Sequence, residues 1–87
     1  MYIITVYDVG VKRVGRVLKI CRKYLNWVQN SVLEGEITEA AFERFKYELG
    51  ETINEDEDSI IFYILRTTRY SDRQTMGITK GGEEMFI

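Results

Sequence analysis

The sequence predicts an α+β fold: an antiparallel sheet with two helices packed on one of its faces. Segments of strand character and of helical periodicity follow one another in the order strand, helix, strand or hairpin, helix, strand, strand. The chain has 87 residues, 45% of them hydrophobic, which suits one core rather than two. It contains no proline and no linker-like stretch. Residues 1–87 are therefore expected to form a single ferredoxin-like βαββαβ domain with an extra C-terminal strand.

The first two elements differ sharply in their hydrophobic pattern. Residues 2–7 are all β-branched or aromatic, which predicts a strand covered on both faces. From Val11 to Leu25 the apolar side chains recur at helical spacing, which predicts an amphipathic helix of about three to four turns. The opposite face of this helix is basic and carries Lys12, Arg13, Arg16, Lys19, Arg22 and Lys23.

The middle of the chain contains a second helix after an ambiguous extended segment. Residues 27–37 have strand propensity but imperfect alternation, so one bent strand and a tight hairpin both remain open. Thr38 is predicted to cap the second helix, and Gly50 is predicted to end it as a C-cap glycine. Its apolar face consists of Ala41, Phe42, Phe45 and Leu49.

The last third of the chain is predicted to return to strands. Residues 59–65 form the most apolar segment and are expected to be a buried strand. Residues 76–78 predict one more short strand. The apolar tail, residues 85–87, is expected to pack against another surface, because chain ends are usually polar and frayed.

The net charge of −2 hides a segregation of charge along the chain. Residues 1–33 carry six basic residues against Asp8 alone, whereas residues 34–58 carry ten acids against two basic residues. Two interpretations of the basic helix remain open. It is either a solvated face balanced by the acidic second helix or the acidic turn after it, or a surface that contacts nucleic-acid phosphates. A polyanion responds to the local field of one face, so the net charge does not decide between them.

The residue types present exclude several kinds of chemistry. The chain has no histidine, which rules out Ser-His-Asp and Cys-His couples, an imidazole base and an HExxH zinc site. Cys21 is the only cysteine, so no intramolecular disulfide can form, which fits a reducing cytoplasm. We expect no signal peptide after Met1 and no membrane partner, since the longest apolar run, residues 60–65, is too short to span a bilayer.

Asp8 is the first candidate for chemistry, since it ends the first predicted strand beside the basic helix. It either forms an Asx turn or helix cap, or binds a metal ion. Mg²⁺ takes about six oxygen ligands, so one carboxylate does not hold it firmly, but two copies across a two-fold axis together with a substrate phosphate could. Tyr7 and Trp27 are candidates for stacking on bases, although aromatic residues in strands are more often core. Cys21 is expected to be a small core residue.

The combination of four segments, in this order and length, resembles the CRISPR-associated Cas-two family. The segments are the opening Met1-Tyr-Ile-Ile-Thr-Val-Tyr-Asp8, the helix end Arg22-Lys23-Tyr24-Leu25, the block Val28-Gln-Asn-Ser-Val-Leu-Glu-Gly35, and the late Met76-Gly77-Ile78. The resemblance covers essentially the whole chain.

The resemblance implies a homodimer in which a C-terminal strand crosses to the partner's sheet. It implies a Mg²⁺-dependent endonuclease, with Mn²⁺ as the substitute ion, that hydrolyses RNA or DNA with Asp8 of each protomer as metal ligand. It also implies a role in spacer acquisition, in which the dimer bridges two dimers of the Cas-one integrase and holds duplex DNA through basic residues. The alternatives are a duplex-DNA-binding adaptor that does not use Asp8 for chemistry, and a regulatory module that binds a small ligand.

Two positions depart from the family pattern. Trp27 stands where an arginine is common before the Val-Gln pair, and Leu33 stands where an aromatic residue is common. If that arginine grips a scissile phosphate in nuclease-active members, its absence weakens the catalytic prediction. Arg13 or Arg16 could take its place.

Overall fold

The structure is a computed structural model that describes residues 1–67 and 70–78. Its elements, in chain order, are β1 Tyr2–Asp8, α1 Val14–Tyr24, β2 Asn26–Gln29, β3 Val32–Glu36, α2 Glu39–Gly50, β4 Ser59–Thr67 and β5 Tyr70–Gly77. The strands form one antiparallel sheet in the order β2-β3-β1-β4-β5. The predicted βαββαβ plan with an extra strand is confirmed.

The central strand β1 has two different faces. Ile3 and Tyr7 are buried in the core that the sheet forms with both helices, whereas Ile4 and Val6, on the opposite face, are only half-buried. Both helices therefore lie on one side of the sheet, and no helix of the described residues covers the other side, hereafter the open side. The prediction of a strand covered on both faces is wrong for a single protomer.

Helix α1 begins at Val14, three residues later than the apolar pattern predicts. Val11 is 87% exposed, because the chain turns here: the backbone N–H of Arg13 donates to the carbonyl of Gly10. The buried side of the helix is made by Val17 and Cys21. Val11 is thus a turn residue, and its place on the predicted apolar face is a coincidence of spacing.

Residues 27–37 form a hairpin rather than one bent strand. The strands β2 and β3 are joined by Asn30 and Ser31, and the register shifts between Trp27 and Gln29. Asn30 has a φ of 38°, a left-handed conformation that asparagine tolerates better than most residues. Asn30 and Ser31, which interrupt the alternating pattern of the sequence, therefore form a tight turn.

Helix α2 starts as predicted and ends differently. The hydroxyl of Thr38 accepts a hydrogen bond from the N–H of Ala41 at 3.1 Å, which confirms the cap, and Phe42, Phe45 and Leu49 are buried. Gly50 is the last helical residue, and Glu51 follows it with an ordinary right-handed φ of −77°. The prediction of a C-cap glycine is therefore wrong, because the chain leaves the helix without a left-handed residue.

The strands β4 and β5 complete the sheet. Ile60, Phe62 and Ile64 are wholly buried against the helices, as predicted for this segment. β5 pairs with β4 and is longer than the predicted residues 76–78. The predicted crossing of the chain end to a partner and the packing of residues 85–87 lie outside the described residues. Neither described helix is long and apolar enough to cross a bilayer.

Candidate functional site

Asp8 occupies the last position of β1, on the open side of the sheet. It is exposed and follows the buried Tyr7, so the alternation of the strand places it on the same face as Ile4 and Val6. The N-cap of α1 is Arg13, and no side chain caps the helix there. Asp8 therefore does not cap α1. The Asx turn and the metal ligand remain predictions.

The loop that follows Asp8 is held by the buried carboxylate of Asp58, the residue just before β4. Asp58, whose side chain is 0% exposed, accepts hydrogen bonds from the backbone N–H groups of Gly10 and Asn54, both at 2.8 Å. Its two oxygens also accept from the Nε and Nη2 of Arg13, at 2.5 and 3.0 Å. The guanidinium of Arg13 holds the pKa of Asp58 far below its usual range, and the two backbone donors lower the pKa further. One carboxylate thus joins the β1–α1 loop to the α2–β4 loop.

The end of β5 contacts the backbone of the same residue, Asp58. The N–H of Ile78 donates to the backbone carbonyl of Asp58 at 2.9 Å. Gly77 has a φ of +89°, and a Cβ at this position would lie 1.8 Å from that carbonyl oxygen. Only glycine fits so close to another backbone. The sequence signal for this contact was a glycine inside a strand pattern, which marks a close backbone approach.

The six cations predicted for the basic face of α1 divide into paired and unpaired ones, and two of them, Lys12 and Arg13, lie in the turn before the helix rather than on it. Arg13 is only 18% exposed and binds Asp58 and Glu57, and Lys23 binds Glu48 of α2. For these two cations the first interpretation holds: Arg13 is paired with the acidic turn, and Lys23 is paired with the acidic second helix. Within residues 1–67 and 70–78 no ion pair involves the other four, which are exposed: Lys12, Arg16, Lys19 and Arg22.

Trp27 lies partly in solvent at the edge of the sheet. It is 52% exposed, its indole N–H donates to the carbonyl of Asn30 at 2.8 Å, and the guanidinium of Arg22 lies 5.8 Å from its ring centroid. Tyr7, in contrast, is 5% exposed and belongs to the core. Of the two candidates for stacking on bases, only Trp27 has an accessible ring.

Two further positions are plain core residues. Leu33 is wholly buried, and so is Cys21, as predicted for the thiol. Burial raises the pKa of the Cys21 thiol to about 12. Cys21 is therefore protonated at neutral pH and serves packing.

The described residues of one protomer do not complete a metal site. Among the described residues, no three His, Cys, Asp or Glu side chains lie close enough together to bind an ion. Asp8 offers hard carboxylate oxygens, which suit Mg²⁺ and Mn²⁺, but a single carboxylate leaves most of the coordination shell to other ligands. The residues present therefore fit a magnesium site only with a second copy or a substrate.

The comparisons with known proteins agree with this fold. A family model described as CRISPR associated protein Cas2 matches residues 1–73. The CRISPR-associated endoribonuclease Cas2 of Dictyoglomus turgidum is 60% identical over the full length of both chains. The one of Thermotoga maritima is 51% identical over 100% of this chain and 99% of its own.

A solved structure gives the same result at the level of the backbone. The structure titled "Crystal structure of cas2" matches with a TM-score of 0.74 and 42% identity, over 93% of this chain and 91% of that chain. The names of the relatives confirm the predicted nuclease family. The chain therefore belongs to the Cas-two family of CRISPR-associated proteins, as its four sequence segments indicate.

Proposed function

We propose that this chain is a Mg²⁺-dependent endonuclease that hydrolyses RNA or DNA as a homodimer, with Asp8 of each protomer as metal ligand. The observation that carries the proposal is the place of Asp8, exposed at the end of a central strand on the open sheet face. A two-fold axis passing close to that strand end would put two Asp8 carboxylates side by side. The names of the relatives, CRISPR-associated endoribonuclease Cas2, support a phosphodiester as substrate.

The open face of the sheet has the composition of an interface. Ile4 and Val6 of β1 are half-buried there, beside Ile61 of β4, which pairs with Val6. Ile61 is already buried, so a second copy packed on this face would mainly bury the apolar surface that Ile4 and Val6 still expose, and burial of apolar surface is the main favourable term in association. Val6→Asp should therefore yield monomers in light scattering, whereas Val11→Asp, in an exposed loop, should leave dimers intact. Monomeric wild type would contradict the dimer.

The division of labour follows from the residues that the chain offers. When bound, Mg²⁺ polarises the scissile phosphodiester and lowers the pKa of the attacking water. Asp8 would hold the ion, and the cations without an acid partner among the described residues would hold more distant phosphates of the strand: Lys12 in the turn before α1, and Arg16, Lys19 and Arg22 on α1. With no histidine in the chain, no imidazole takes the proton of the water.

The second candidate function is an adaptor that bridges two Cas-one integrase dimers and holds duplex DNA. The unpaired cations of α1 favour it, because a row of fixed positive charges on a rigid helix can follow one DNA backbone without any chemistry. In this version Asp8 is not used. The presence of Trp27 where an arginine is common favours the same version.

Cleavage of a panel of RNA and DNA substrates, single- and double-stranded, with Mg²⁺ or EDTA, tests the proposal. We expect Asp8→Ala to abolish Mg²⁺-dependent cleavage and to leave binding intact. Asp56→Ala removes an exposed carboxylate elsewhere and should cleave like wild type. Equal cleavage by wild type and Asp8→Ala would refute the catalytic role, and unchanged spacer integration by Asp8→Ala would support the adaptor.

A further inference from the structure

The indole of Trp27 is fixed in place without being buried. Its N–H is bound to the carbonyl of Asn30, and Arg22 lies over its ring. All four residues of the edge strand β2 are exposed, and about half of the Trp27 surface, 52%, stays accessible beside Arg22. An exposed tryptophan held by a hydrogen bond and a cation–π contact presents a rigid apolar surface to solvent.

The surroundings of this ring are cationic. On α1, an open groove of about 320 Å³ is lined by Gly15, Leu18, Lys19 and Arg22. Arg22 belongs both to this groove and to the contact with Trp27, so the two features form one surface. Neither Lys19 nor Arg22 is neutralised by an acid of the described residues.

We propose that Trp27, Arg22 and Lys19 form a subsite in which an unpaired base of a single-stranded nucleic acid stacks on the indole. Surfaces that bind single strands combine a positive groove along the backbone with an aromatic ring for the bases. The bases of a duplex are already stacked on each other, so this subsite selects single strands. The inference rests on the proposed function, in that it assumes a nucleic-acid ligand.

Trp27 is the only tryptophan of the chain, so its own fluorescence reports on the contact. The experiment uses the Asp8→Ala chain, so that cleavage does not consume the probe. An RNA oligonucleotide of about 12 nucleotides, its DNA counterpart and a duplex of the same sequence cover the site sizes typical of such surfaces. We expect saturable quenching by single strands and much less by the duplex, with the stronger of the two single strands identifying the preferred sugar.

Substitutions separate stacking from simple charge attraction. Trp27→Ala should weaken binding of a labelled single strand about ten-fold, and Trp27→Phe should restore most of the affinity. Val28→Ala, a change at the next half-exposed position of the strand, should bind like the parent chain. Binding without quenching, or equal affinity of Trp27→Ala and Val28→Ala, would overturn the subsite alone. No binding of any oligonucleotide would overturn the proposed function as well.

Discussion

Asp58→Asn should destabilise the chain strongly, because the carboxylate of Asp58 is buried and accepts four hydrogen bonds. The substitution keeps the shape of the side chain and replaces one carboxylate oxygen by an NH₂ group. If the amide oxygen keeps the bonds from Gly10 and Arg13 Nη2, the new NH₂ faces two donors, the N–H of Asn54 and the Nε of Arg13. Two charge-assisted hydrogen bonds are thus lost. The N–H of Asn54 and the Nε of Arg13 then point at the new NH₂ group, which is itself a donor.

The expected cost follows from the burial of the carboxylate. A hydrogen bond to a charged group contributes about 1.5–3 kcal/mol, so two of them set an upper range of about 3–6 kcal/mol. Arg13 is 18% exposed and recovers some hydration when released, which lowers this figure. We expect a loss of about 3 kcal/mol in the free energy of unfolding, or roughly 15 °C in Tm for a chain of this size.

Denaturant unfolding at one fixed protein concentration measures this loss, because association would otherwise change the apparent stability. Asp56→Asn removes the same charge from the same turn, at an exposed position, and should change the free energy of unfolding by less than about 0.5 kcal/mol. If both variants unfold like wild type, the Asp58 carboxylate does not hold the two loops together.

The stability of wild type should also depend on pH through Asp58. The pKa of this carboxyl is lower in the folded chain than in the unfolded chain, where it is about 3.9. Its contribution is therefore complete above about pH 4 and decreases as the pH falls below that value. The difference in stability between wild type and Asp58→Asn should narrow over the same interval, and a difference that stays constant down to about pH 2 would contradict the assignment.

Two further substitutions test the structure at other points. Gly77→Ala should cost roughly 2 kcal/mol or more, because of the positive φ and the close carbonyl of Asp58, whereas Gly15→Ala, where a Cβ meets nothing within 4 Å, should be neutral or stabilising in thermal unfolding. Arg16→Glu with Lys19→Glu should weaken nucleic-acid binding and make its salt dependence less steep, by about one unit of slope for each phosphate that is no longer neutralised, as measured by anisotropy at several salt concentrations. Arg44→Glu, an exposed cation of α2, is the matched control.

Most of the fold could be predicted from local patterns. The spacing of Phe42, Phe45 and Leu49 is enough to orient α2, and the Thr38 cap depends only on residues that follow it directly. Two of the predictions that failed, at Val11 and at Gly50, concerned the boundary of an element, whereas the third concerned the coverage of β1. The boundary of an element depends on where the chain must turn to reach its next contact. The periodicity of a segment carries no information about that position.

The role of Asp58 could not be predicted in this way. In the sequence Asp58 is one of four consecutive acidic residues, and its neighbours do not distinguish it from Asp56. Its partner Arg13 lies 45 positions away and was one of six similar cations on α1. The pairing exists only because the sheet order brings the end of β1 beside the start of β4, where Asp8 pairs with Ser59.

The pairing of Arg13 changes what the basic helix can do. Of the six cations predicted for it, Arg13 and Lys23 bind acids, and Arg16, Lys19 and Arg22 are exposed on α1, on the helical side of the sheet. Asp8 lies on the other side, with Ile4 and Val6. Within one protomer, the residue proposed for cutting and the residues proposed for holding therefore belong to different surfaces. Catalysis and binding should then be separable by mutation, which is why the endonuclease and the adaptor can share this chain without sharing Asp8.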